Sequence, residues 1–290
     1  MRRFGILALV CAVAASLCFV LGGCDAFNNQ GYSPTLKDAV VQSPTIGEDG
    51  TLRVGVNANS YPLAGQPEGA SGIEGINVDY AAAIADEMGL KLQIVDVGTD
   101  PEGALKDNKV DIVMGINSTD DVKFWKSNPY IPTSIAVFAN SDNQGDFTVN
   151  DDTKIAAQVS SKSAYAVDHE YDQNNLQSVS DLNSAFTAMR DGQVQYVAAD
   201  AVIGSYASHS GGYDTHIVGL LQETGGYCIG VNSSNTALQK AVSDAITSCN
   251  DSGVFSVIQN QWLGTVLDLT SVKLGSGATD LKASDLKGTV

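Results

Sequence analysis

"NVDYAAAIADEMGLKLQIVDV", residues 77–97, decides the fold. Its first part sets Val78, Ala81, Ala82, Ile84 and Ala85 near helical spacing and stops on Gly89, a residue suited to ending a helix. Its second part, Lys91–Val97, is a short β-rich run that follows almost at once. The same alternation continues on both sides. "LRVGVNA" (52–58) reads as a strand before it; "EGALKDN" (102–108) reads as a helix and "KVDIVMG" (109–115) as a strand after it. Strands alternating with amphipathic helices predict an α/β fold with parallel sheets covered by helices.

A second series follows "SIAVFAN" (134–140). "TKIAAQVS" (153–160) and "VQYVAAD" (194–200) read as strands. "SVSDLNSAFTAMRDG" (178–192), with Ser180 as its N-cap, and "AVIGSYASHS" (201–210) read as helices. "YCIGV" (227–231) is a strand, and residues 236–264 form two helices split near Asp251–Gly253. Beyond Leu269 there is little pattern, so residues 267–290 read as a C-terminal tail.

The chain has 290 residues and carries 16 Lys and Arg against 33 Asp and Glu. Such an acidic balance opposes nucleic-acid binding, whose affinity comes from neutralising phosphates, and opposes lying flat on anionic lipid. The three histidines, His169, His209 and His216, lack metal-ligand spacing. No metal or cofactor is expected.

Arg2 and Arg3 precede an apolar stretch from Ile6 to Leu21, then Gly22, Gly23 and Cys24. That pattern is a secretory signal over residues 1–23, its core shorter than the ~20 residues of a spanning helix. Leu21-Gly22-Gly23-Cys24 resembles the bacterial lipobox, which implies a lipidated Cys24. The polar, turn-rich residues 24–50 then read as a lipid-anchored flexible tether. Of the remaining cysteines, Cys11 and Cys18 fall in the signal. Cys228 and Cys249 are left as a possible disulfide or as two buried thiols, and both readings stand open.

Open α/β sheets bind ligands beyond the carboxyl ends of their strands. Those ends are marked by Asn57, Ser60 and Tyr61; by Asn117, Ser118 and Thr119; by Ser160 and Ser161; and by Asp200. Asp120-Asp121 read as the start of a helix after the second of these. Capping a helix would account for Asn117, Thr119 or Asp200 without any ligand, and ordinary packing would account for Tyr61.

Taken together, "LRVGVNANSYPL", "GINVDYAAAIADEMGLKLQIV", "ALKDNKVDIVMG", "SNPYIPTSIAVF", "AMRDGQVQYVAAD" and "GVFSVIQNQWLG" stand in the order of six landmarks of one family. The chain resembles the extracellular solute-binding proteins of bacterial ABC transporters, polar amino-acid family, from about Leu52 to Gly264. The resemblance implies a periplasmic-binding-protein-like fold: two α/β lobes joined by a two-strand hinge, with a ligand cleft between them. Lobe 1 would be discontinuous, residues 51–140 and 225–266, and lobe 2 would span 141–224. The crossovers are expected near 140–144 and 222–226.

The resemblance further implies that Asp200 receives a ligand ammonium and that Asn117 and Thr119 bond its carboxylate. Asn57, Tyr61, Ser161 and Lys162 complete the expected ligand set. The family's arginine, three residues after the threonine, forks onto that carboxylate; here the position is Val122. The family's aromatic residue after the "QIVDV" strand falls near Gly98. Either the ligand lacks a standard α-carboxylate, or Lys162 replaces the arginine.

The implied function is the lipid-anchored substrate-binding component of an ABC importer. It would capture an amino acid or related small polar solute by lobe closure and deliver it to a permease with a cytoplasmic ATPase. The expected protein is a monomer, not an enzyme, anchored to the outer face of the cell membrane. The alternatives are a dehydratase-type enzyme on the same fold and a ligand-sensing lipoprotein with a signalling partner.

Overall fold

The computed structural model describes residues 37–275. The predicted signal, Cys24 and the tether up to residue 36 lie outside the described residues, as do residues 276–290.

In chain order the first stretch contains β1 (Thr51–Val56), β2 (Asn59–Ser60), β3 (Ala64–Gly65), α1 (Ile76–Glu87), β4 (Lys91–Asp96), α2 (Pro101–Lys106), β5 (Ile112–Asn117), β6 (Trp125–Lys126) and β7 (Ile131–Thr133). The second contains β8 (Ile135–Asn140), β9 (Ile155–Gln158), α3 (Lys162–Glu170), β10 (Leu176–Val179), α4 (Leu182–Arg190), β11 (Tyr196–Asp200), α5 (Ala201–Gly211) and β12 (Thr215–Leu220). The chain then returns with β13 (Gly225–Val231), α6 (Thr236–Asp251) and α7 (Val254–Leu263).

Two sheets result. One has the order β4-β1-β5-β13-β6, with β7 also on β13; the other has the order β10-β9-β11-β8-β12. The β/α units pair in parallel, β1 with β4 and β5, and β9 with β10 and β11. The strands that change sheet pair antiparallel: β13 with β5, and β8 with β11 and β12. Thus β1 and β9 are the points where strand order reverses, and their carboxyl ends open the crevices where such sheets hold ligands.

Helix α1 shows why the opening stretch folds as it does. Ile76, Tyr80, Ala81, Ile84 and Ala85 form one buried stripe, and Leu52, Val54 and Ile112 of the adjoining strands belong to the same core. Gly75 begins the helix at φ 141, where a Cβ would lie 2.6 Å from the Leu63 carbonyl oxygen. Only glycine suits that turn.

Several expectations are corrected. Residues 37–50 are not a free tether. Lys37 pairs with Glu87, the Val40 N–H donates to the Met88 carbonyl at 3.1 Å, and Ile46 is 1% exposed. This strap is pinned by Asp111, which accepts from Gly47 N (2.8 Å), Arg53 N (2.9 Å) and the Arg53 guanidinium (Nη2 2.7 Å, Nε 3.1 Å). Burying apolar side chains and satisfying a buried carboxylate outweigh the chain entropy that turn-rich composition suggests.

Residues 134–140 are expected in the first lobe, yet β8 pairs within the second sheet, so the sheet change falls at Thr133–Ile135. Backbone pairing decides this, and local sequence carries no partner information. Asp120–Phe124 is a loop rather than a helix. Asp181, not Ser180, caps α4, accepting from Ser184 N at 2.8 Å. Residues 267–275 are also no loose tail: Leu269 is 3% exposed, and the Leu220 N–H donates to the Lys273 carbonyl at 3.0 Å. The chain therefore leaves α7, which packs against α1 and α5, and adds a bridge at Leu274 to the end of β12 in the second sheet. Cys228 and Cys249 are separate, buried free thiols. The second packs on α1, its Sγ 3.7 Å from the Ala83 carbonyl oxygen, while the first lies in β13. Burial pushes both thiols up to about 11.

Candidate ligand-binding site

The first wall of the site is built where β5 ends. At Gly115 (φ 79) an added Cβ would lie 2.8 Å from Asn77 Nδ2, so the glycine lets a buried amide sit directly behind the strand. Asn77 Oδ1 accepts from the Tyr130 hydroxyl at 2.6 Å. Beyond the strand, Asn117 Oδ1 accepts from Thr119 N (3.1 Å) and Thr119 Oγ1 (2.8 Å), and Asn117 N donates to Asp120 Oδ2 (3.1 Å). Lys126 Nζ donates to the carbonyl oxygens of Ser118 (2.6 Å) and Asp120 (2.7 Å). These bonds are what the loop makes instead of a helical turn.

The second wall rises from β9 and β11. Ser160 holds φ 59, a conformation unusual for a residue with a side chain, at the turn into α3. Ser161 caps that helix by accepting from Ala164 N at 3.0 Å, and Lys162 begins it, exposed. Asp200 ends β11 and caps α5: Oδ1 accepts from Val202 N (2.9 Å) and Ile203 N (3.0 Å). Its Oδ2 accepts from Thr133 Oγ1 (2.8 Å) and from the Tyr227 hydroxyl (3.1 Å). Burial raises the Asp200 pKa, and the four donors only partly offset this. The Tyr227 hydroxyl is pushed up by burial and by the neighbouring Asp200 and Asp120 charges.

Between the walls is a cavity of about 360 Å³ lined by Asn117, Asp120, Ser161, Lys162, Asp200 and Tyr227, among others. A smaller hollow of about 60 Å³ adjoins it and adds Thr119, Thr133 and Glu223. A larger groove, about 780 Å³, lies between residues 39–45 and α6 and touches no strand end of either sheet.

Of the residues expected from sequence, Asn117, Thr119, Ser161, Lys162 and Asp200 therefore meet at these two hollows. Asn57 and Tyr61 line neither. Asn57 Oδ1 accepts from Asn59 N at 3.0 Å in a local turn. The Tyr61 ring packs against Tyr206 (5.7 Å) and Trp262 (6.4 Å), and its hydroxyl accepts from the Tyr206 hydroxyl at 3.1 Å. That hydrogen bond, then burial, pushes the Tyr61 hydroxyl up to about 12. Tyr61 thus joins an aromatic contact between α5 and α7.

Sequence reasoning misses Asp120, Thr133 and Tyr227. Asp120 reads as a helix opener, although a carboxylate after a strand-end Asn-Ser-Thr is a signal that could have found it. Tyr227 shows no local signal, because only the antiparallel pairing of β13 with β5, Tyr227 opposite Asn117, brings it here. Val122 packs into an apolar cluster with Val113, Ile116 and Phe124.

Among the described residues no group of His, Cys, Asp and Glu could hold a metal ion, and no helix is long and apolar enough to cross a membrane. Two mixed sheets, with a polar cavity at the ends of their switch-point strands, define a periplasmic-binding-protein fold. Residues 52–265 match the model of the bacterial extracellular solute-binding proteins, family 3, and the chain belongs to that family.

Solved structures share its fold. A substrate-binding protein of a polar amino acid ABC uptake transporter from Streptococcus thermophilus is 18% identical, with 74% of this chain and 87% of that chain covered and a TM-score of 0.67. The L-cystine solute receptor of Neisseria gonorrhoeae, in an unliganded open conformation, is 19% identical over 74% and 93%, with a TM-score of 0.62. An ancestral cationic amino-acid solute-binding protein is 22% identical over 74% and 96%, with a TM-score of 0.61. No curated protein matches the sequence significantly.

Proposed function

We propose that this chain is the lipid-anchored receptor of an ABC importer for an amino acid or a related small polar solute. It binds its ligand and does not transform it. The observation that carries the reading is the cavity of about 360 Å³ in which Asn117 and Asp120 of one wall face Ser161, Lys162 and Asp200 of the other. The volume suits a small molecule, and the lining offers a few convergent polar groups. Asp200 supplies an acceptor for an ammonium, while Lys162, Ser161 and Asn117 supply donors for an anionic or polar end.

Anchoring rests on Leu21-Gly22-Gly23-Cys24 after an apolar signal core. The acyl chains on Cys24 hold the protein at the outer membrane face. Ligand capture closes the walls by hinge motion at Thr133–Ile135 and at Leu221–Gly225. The closed form then docks as a monomer on a permease and its cytoplasmic ATPase.

The test is a thermal-shift screen of the detergent-solubilised chain against amino acids, decarboxylated amines, short peptides and amino-acid derivatives. A ligand that binds only the folded state stabilises it by ~2.7 kcal/mol at a hundredfold excess over Kd. A reproducible rise in Tm with one of these solutes supports the reading. No rise with any of them overturns it.

A further inference from the structure

Resting on that receptor reading, the charges around the cavity narrow the ligand class. Asp120 and Asp200 line it, and among the described residues Lys162 is the only basic one that does so. Neither carboxylate has an ion-pair partner among the described residues. Asp200 is held by two backbone N–H groups and two hydroxyls, donors without charge. Asp120 uses Oδ2 to accept from Asn117 N, and no protein donor is found for its Oδ1 among the described residues.

The other basic residues nearby do not balance these acids within the cavity. Lys126 spends its ammonium on two carbonyl oxygens of the loop. Lys123 is exposed, and its backbone N–H is bonded to Glu102 Oε1 at 3.0 Å. The neighbouring hollow adds Glu223, a further acid. At residue 122, the apolar cluster leaves no guanidinium to hold a carboxylate.

We propose that Asp120 is a specificity-determining residue and that the cavity takes a cationic amino acid. One carboxylate wall binds the α-ammonium at Asp200. Asp120 receives the second cationic group, and Lys162 with the first turn of α3 faces the α-carboxylate. A ligand with net positive charge fills all three positions. A neutral side chain leaves Asp120 without a counter-charge, and an acidic one sets like charges together, which costs affinity.

Titration calorimetry of the detergent-solubilised full chain with L-lysine, L-ornithine, L-glutamine and L-glutamate tests this. Lysine or ornithine is expected to bind roughly 100-fold more tightly than glutamine, the scale of one charge-assisted hydrogen bond, with glutamate weaker still. Asp120→Asn should cut that preference to less than about tenfold, and Asp120→Glu, which keeps the charge, should retain it. Melting curves of both variants confirm that they fold. Glutamine or glutamate binding as tightly as lysine, or an unchanged preference in Asp120→Asn, overturns the proposal while leaving the receptor reading in place. Binding of none of the four, with a positive screen only for solutes other than cationic amino acids, also overturns it. A screen negative throughout overturns the receptor reading itself.

Discussion

The Tyr227 hydroxyl, on a strand of the first sheet, donates to Asp200 Oδ2 on the second at 3.1 Å. This bond joins the two sheets at the cavity, which both residues line. Thr133, at the end of the strand that precedes the sheet change, donates to the same oxygen at 2.8 Å.

Asp200→Asn is expected to bind an ammonium-bearing ligand at least ~10-fold more weakly, because a charge-assisted bond is lost. Its stability should move the other way. Burial raises the folded pKa of Asp200 above its ordinary value of 3.8. The stability this group contributes is therefore complete below the unfolded value and is lost as pH rises through the folded value. At pH 7 the unliganded variant should be at least as stable as the native chain, and the native chain should gain on it as pH falls toward 4. Urea unfolding at both pH values checks the sign.

Arg53→Ala leaves Asp111, with a side chain 4% exposed, without its guanidinium partner. Breaking a buried pair from one side costs about 3–5 kcal/mol. The loss should be largest in protection of the strap, since Gly47 N shares the same carboxylate. Urea unfolding gives the total, and amide exchange at residues 45–53 locates it.

Ending the chain after Thr265 removes Leu267 and Leu269, both buried. Full burial of such side chains contributes ~1.5–3 kcal/mol each, so a loss of roughly 3–6 kcal/mol is expected. The bond between Lys273 and Leu220 spans from the α7 side to the second sheet, so its loss should also widen the range of lobe positions. Small-angle scattering of the unliganded truncated chain should give a larger radius of gyration. An unchanged radius would assign the segment to stability alone.

Trp262 on α7 lies 5.9 Å from the Tyr206 ring on α5 and donates Nε1 to Asp79 Oδ2 at 2.7 Å. The chain has 2 tryptophans, so Trp125→Phe leaves Trp262 as the reporter. Its emission should shift on ligand addition as the α5 ring moves against it. A silent signal during calorimetrically proven binding would remove this aromatic contact from the closing motion.

Much of the fold is legible in the order of the residues. Apolar spacing in Asn77–Gly89 and the β-rich runs around it identify β/α units, because each element's side chains must face its own core. Asn117, Ser161 and Asp200 are legible as site candidates because strand ends are where polar side chains can converge. The strap at residues 37–50 and the segment 267–275 are not, since their order comes from distant partners such as Met88, Asp111 and Leu220.

By itself, then, the sequence determined the fold class and the strand ends that line the candidate cavity. These depend on local periodicity and on short motifs. The tertiary structure alone decided that β8 belongs to the second sheet, that Tyr227 and Thr133 share one oxygen of Asp200, and that Asp120 enters the cavity while Val122 turns into the core. Those facts depend on which strands exchange backbone hydrogen bonds, and a backbone N–H carries no information about its partner until the chain has folded around it.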